Sequence, residues 1–95
     1  MYCYMKIPKK IKIGGHEFKI VFKKASLVDE GNADSGSLDT DSNTIEINEK
    51  LTQSQKEVTL LHEIFHAMNT ELNEVMVESL SQQLYQVFMD NKMFK

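Results

Sequence analysis

The period of the apolar residues changes once along this chain, near Lys50, and that single change decides the layout of the fold. Upstream, "KIKIGGHEFKIVFKK" places Ile11 and Ile13 before Gly14-Gly15, and Phe18, Ile20 and Phe22 after them, always two apart. A period of two belongs to a strand with one face buried, and a Gly-Gly pair supplies the positive φ angles of a tight hairpin turn. "NTIEIN" (43–48) repeats the alternation, with Ile45 and Ile47 on one side. Downstream, Val58, Leu61, Phe65 and Met68 recur at helical spacing, and Leu60, Ile64 and Ala67 widen the apolar face. Thr52 with Gln55, or Ser54 with Glu57, can form a capping box at the start. The spacing predicts a helix over 52–70, nearly apolar all round and therefore central in the domain. After a break at "TELNE" a second helix carries Val77, Leu80, Leu84, Val87 and Phe88, and "MDNKMFK" reads as its frayed end.

Ninety-five residues leave room for one core, so the expectation is a single α+β domain. In it a small antiparallel sheet, made of the N-terminal hairpin and the strand near 43–48, packs on two C-terminal helices. The stretch 26–42 is rich in Asp, Asn, Gly and Ser and reads as a long loop. It includes a short strand near 37–40 that can pair with the next. Its acidic residues, Asp29, Glu30, Asp34, Asp39 and Asp41, lack the spacing and terminal glutamate of an EF-hand calcium loop.

The first helix carries "TLLHEIFHAMN". Residues four apart on a helix lie about 40° apart around the axis and one turn apart along it, so His62 and His66 point the same way. Their ring nitrogens can converge on one ion. Glu63 sits on the flank of that face, where it can act as general base towards a water activated by the metal. Chance alone produces H-E-x-x-H now and then. Here, however, it falls in the middle of an apolar helix, where two histidines and a glutamate without partners would cost several kcal/mol, and a metal ion removes that cost.

Catalytic zinc takes three protein ligands and keeps an open position. No histidine follows His66, and His16, the only other one, lies beside the hairpin turn. The better candidates are carboxylates of the second helix, which a short connection returns antiparallel to the first. Glu71 falls in the break, while Glu74 and Glu78 are four apart and share a face. Glu78, set between Val77 and Leu80 and closer to the level of the histidines, is the preferred third ligand. Glu74 is the alternative, and the carboxylate that does not bind the ion can hold a ligand histidine from outside.

These residues resemble the zinc metallopeptidases in which two histidines of one helix and a glutamate of the next bind the metal. More narrowly, "TIEINEKLTQSQKEVTLLHEIFHAMN" and "VESLSQQLYQVFMDN" are similar to short H-E-x-x-H metallopeptidase-like proteins, of gluzincin type, from bacteriophages and bacterial mobile elements. The resemblance covers residues 45–91. It implies Zn²⁺ at His62, His66 and Glu78, with Glu63 as the catalytic base of peptide hydrolysis. It also implies that the strand 44–48 borders the cleft and pairs with an extended substrate. Ser81 stands where those proteins usually have a small apolar residue. A further donor for the tetrahedral oxyanion is not marked, with Tyr85, His16 or the long loop as candidates. The competing expectation is a zinc-binding adaptor without activity.

Composition bounds the partners. All eleven basic residues are lysine and the formal charge is −3, which argues against a dedicated nucleic-acid binder. The lone Cys3 cannot make an intrachain disulfide, and no apolar run approaches a membrane span or signal peptide. The expectation is a cytoplasmic protein with a peptide or protein substrate, such as a repressor, and with neither nucleic acid nor membrane as partner.

Overall fold

A computed structural model of the chain describes residues 6–24 and 35–93. Cys3 and the acidic positions 29, 30 and 34 lie outside the described residues. The elements are β1 (Lys10–Ile13), β2 (His16–Lys23), β3 (Gly36–Asp39), β4 (Thr44–Asn48), α1 (Gln53–Met68) and α2 (Glu74–Asp90). The fold is α+β, as expected from the change of period.

The hairpin forms where the glycines require it. Gly14 and Gly15 have φ of 57° and 85°, the pair of positive angles that a two-residue turn needs, and Ile13 faces His16 across it. At the other end of the sheet, Asp39 closes the β3–β4 turn by accepting the amides of Asp41 (2.9 Å) and Ser42 (3.3 Å). Asn43 then takes a φ of 51°, a conformation Asn tolerates better than most side chains.

The sheet order is β1-β2-β4-β3, and β2 pairs with β4 in parallel, with Ile20 opposite Ile45 and Phe22 opposite Ile47. The expectation of an antiparallel sheet is corrected at this one junction; the β1–β2 and β3–β4 pairs are antiparallel. The reason is topological. Because β3 takes the edge and β4 turns back beside it, β4 runs in the same direction as β2.

The buried apolar strand residues point to one face. Ile13, Phe18, Ile20, Ile45 and Ile47 meet Leu60 and Leu61 of α1 in the core. The capping box is the Thr52–Gln55 one: the Thr52 hydroxyl accepts the Gln55 amide at 3.2 Å and the Gln55 side chain accepts the Thr52 amide at 3.0 Å. That start sets the rotation of α1 and so decides which residues meet the sheet. Helix α1 lies on β1, β3 and β4, and α2 packs on α1. From α2, Tyr85 and Met89 reach the core.

The second helix is less buried than its apolar stripe suggested. Val77 is fully buried, but Leu80 and Val87 remain 43% and 42% exposed. With α1 as its main support, α2 has only a narrow strip to hide. Ser81 belongs to that strip: it is fully buried, and its hydroxyl donates to the Val77 carbonyl at 2.8 Å. A polar residue therefore fits a site where a small apolar one would.

Candidate metal centre

Helix phase brings His62 and His66 together, as their spacing requires. Their Nε2 atoms lie 3.2 Å apart, and the rings meet edge to face with centroids separated by 4.9 Å. Both rings are largely buried, with side chains 14% and 19% exposed. The third arm comes from the first residue of α2. Asn73 caps that helix, its side chain accepting the Met76 amide at 2.8 Å, and this fixes Glu74 at the helix start beside the rings. The Glu74 Oε1 lies 3.3 Å from His62 Nε2 and in direct contact with His66 Nε2.

The geometry brings Glu74 to the position expected for Glu78. The Glu78 Oε2 instead lies 3.2 Å from His62 Nδ1, on the far side of the ring, while its other oxygen accepts from Gln82 at 2.5 Å. The connection after α1 is so short that the first turn of α2 is already level with His66. One turn later, Glu78 has passed behind the ring of His62. Glu74 thus meets the Nε2 atoms of both rings, and Glu78 the Nδ1 atom of one. Glu71 and His16 do not join the cluster; the Glu71 amide is bound by Asn69, and His16 stands exposed at the hairpin.

His62, His66 and Glu74 form a group that could hold a metal ion. Two donors on a tetrahedral ion, each about 2.0–2.1 Å from it, are separated by roughly 3.3 Å. Two of the three separations, 3.2 Å and 3.3 Å, therefore match edges of such a tetrahedron, while Glu74 and His66 stand closer together than an edge. When neutral, the imidazoles can offer lone pairs to a cation beside the carboxylate; when protonated, they donate to Glu74 instead. Burial by itself would raise the Glu74 carboxyl, but hydrogen bonding and charge from His62 and His66 outweigh it and hold it below the usual carboxylate range.

A cleft of about 990 Å³ opens over the group, between α2 and the β3 edge, and Glu63, Glu78 and Tyr85 line it too. Glu63 is 6% exposed and turned towards β3: its Oε2 would lie 3.6 Å from a Cβ built on Gly36. Such a Cβ would also stand 2.6 Å from the Glu46 carbonyl oxygen and 2.7 Å from Thr59 Cγ2. Only glycine lets β3 come this close to α1. Sequence reasoning did not mark Gly36, although a lone glycine opening a strand signals close backbone approach.

The strand bordering the cleft is likewise β3. β4 is flanked by β2 on one side and β3 on the other, so it has no free edge. Tyr85, one of the candidate oxyanion donors, commits its hydroxyl to Glu57 Oε1 at 2.7 Å. Glu57 is fully buried and accepts from Gln53 Nε2 as well, at 2.8 Å. Burial, then the hydrogen bond and charge of Glu57, push the Tyr85 phenol far above its ordinary value. Among the described residues, no helix is long and apolar enough to cross a membrane. No family model matches the chain, and no curated protein or solved structure shows significant similarity to it.

Proposed function

We propose that this chain is a small zinc-dependent metallopeptidase, with His62, His66 and Glu74 as ligands and Glu63 as general base. The observation that carries this reading is the meeting of two imidazole nitrogens and one carboxylate oxygen, with two of their separations close to the edge of a zinc tetrahedron, inside an open cleft. A set of two nitrogens and one oxygen suits Zn²⁺ among the common metals. Zinc in such a site supplies a Lewis acid and raises the acidity of water.

The protein's own groups do the rest. Glu63, adjacent in sequence to a ligand but facing β3, takes a proton from water in the cleft and delivers it to the leaving amine. Glu78 at Nδ1 holds the ring and tautomer of His62, leaving Nε2 free to coordinate. The edge of β3 offers backbone groups to an extended peptide, an affinity that asks little of the substrate's sequence. One observation favours a second reading, a zinc-binding adaptor without activity. The Tyr85 hydroxyl is held by Glu57, so it is not directed at a developing oxyanion.

The test is metal analysis of the purified chain together with cleavage of a peptide library. The peptidase reading expects one zinc per chain, cleavage by the wild type, and a loss of about 10²–10⁴-fold in Glu63→Gln with zinc retained. Zinc retention without cleavage in either protein would favour the adaptor. No zinc in the wild type would remove both.

A further inference from the structure

The net charge of −3 averages over two parts of opposite sign. Residues 6–24 carry seven lysines and one acidic residue, Glu17, whereas residues 35–93 carry three lysines and ten acidic residues. The fold then spreads the first group over one surface. Along β1 and β2 the inward positions are apolar, so Lys10, Lys12, Lys19 and Lys23 fall on the opposite face of the sheet, and all four are exposed. Lys6, Lys9 and Lys24, also exposed, flank the same two strands in sequence.

Two features set this face apart from an ordinary solvated one. Lys10 and Lys19 are direct cross-strand partners, a like-charge pairing that weakens a sheet. Lysines on an edge strand protect against unwanted pairing, which accounts for β1. β2, however, is an interior strand with neighbours on both sides, so edge protection does not account for Lys19. Counter-charge is sparse: Lys10 meets Glu17 at 3.7 Å and Lys23 meets Glu46 at 3.0 Å. Among the described residues, no ion pair is formed by Lys12 or Lys19.

We infer that the outer face of the β1–β2 hairpin, centred on Lys10, Lys12 and Lys19, binds the phosphate backbone of duplex nucleic acid without reading its sequence. Lysine is a mobile point charge suited to phosphate, and the absence of arginine speaks against base recognition, not against backbone contact. Apart from the charged side chains, Val21 is the residue this face exposes on β2, and the aromatic side chains Phe18 and Phe22 fall on the other parity. Without an aromatic platform, stacking of unpaired bases has no support, and a duplex is favoured over a single strand. The same lack of aromatic anchors disfavours a lipid surface. Glu17 and Glu46 share this face and offset part of its charge through Lys10 and Lys23, so its uncompensated positive charge rests chiefly on Lys12 and Lys19.

The experiment is fluorescence anisotropy of a short labelled DNA duplex, titrated with the full chain at several salt concentrations between about 50 and 200 mM. The expected result is micromolar binding at the low end that weakens steeply with salt. Exchanging Lys10, Lys12 and Lys19 for Gln together should weaken it at least tenfold and flatten the log–log salt slope by about 3. Lys12→Gln alone, at an exposed position, should flatten it by about 1 and serves if the triple variant does not fold. Lys50→Gln with Lys92→Gln, off this face, should leave the slope unchanged. No duplex binding would overturn the inference. So would an equal loss in the off-face variant, an unchanged slope in a folded hairpin variant, or binding to phosphatidylserine vesicles in place of the duplex.

Discussion

Two clusters of polar side chains lie along the contact between α1 and α2, and they are built on opposite plans. At one, Glu57 is fully buried and receives hydrogen bonds from Tyr85 and Gln53. Donors surround a single acceptor, and the protein itself satisfies the charge. At the other, Glu74 meets two imidazole nitrogens beneath an open cleft, and the side chains bring several acceptors together with few protons to share. The first cluster is closed and holds the helices in place. The second is open and could hold a cation. Chemistry of the partners, more than depth of burial, separates the two carboxylates: the fully buried Glu57 is enclosed by donors, while Glu74 belongs to the group that could hold a metal ion.

This contrast can be broken at four points of decreasing effect. His62→Ala should abolish the response of melting to zinc. A metal present at about 1,000 times its dissociation constant stabilises the native state by about 4 kcal/mol, and thermal unfolding with and without chelator measures the difference. If zinc still raises the melting temperature of His62→Ala, the cluster is not the binding site. Glu78→Gln is milder. It should keep stoichiometric zinc but lower the affinity about 10–100-fold, read by competition with a chelator, because it removes only the support behind His62.

Tyr85→Phe attacks the closed cluster and should cost about 1–3 kcal/mol in urea unfolding while leaving zinc affinity unchanged. It should also change the alkaline limb of stability. The fold raises the Tyr85 pKa, so this contribution is complete below the unfolded value of about 10 and is lost as pH rises above it. The variant should therefore lose less stability than the wild type above that pH. The smallest effect belongs to Asp39, at the exposed β3–β4 turn. Hydrogen bonds from the Ser42 side chain, then the Ser42 and Asp41 amides, hold its carboxyl below the ordinary value. Its contribution is present above the unfolded pKa of about 3.9 and disappears as pH falls through the lower folded value. Asp39→Asn should make the acid limb of the stability curve slightly shallower.

What the chain reveals before folding follows the range of the interactions involved. The Gly-Gly turn, the Thr52 cap and the pairing of His62 with His66 depend on neighbours within four residues, and all can be read directly. The parallel junction of β2 with β4 joins segments more than twenty residues apart, and nothing local announces it. That Glu74, and not the expected Glu78, meets both Nε2 atoms has a subtler reason. Both share a face of α2, so spacing cannot separate them, and the decision rests on where that helix begins. Asn73, an effective cap, carried the missing signal.

The bare α-carbon at Gly36 has a consequence for the breadth of the cleft. There the strand presents only hydrogen to the Thr59 methyl of the helix, an approach that no residue with a Cβ could make without a shift. A methyl group would act as a shim, prising the strand outward and enlarging the passage towards the histidines. What can pass is thus calibrated by the absence of one carbon atom, at a position where a single codon change would alter the gauge.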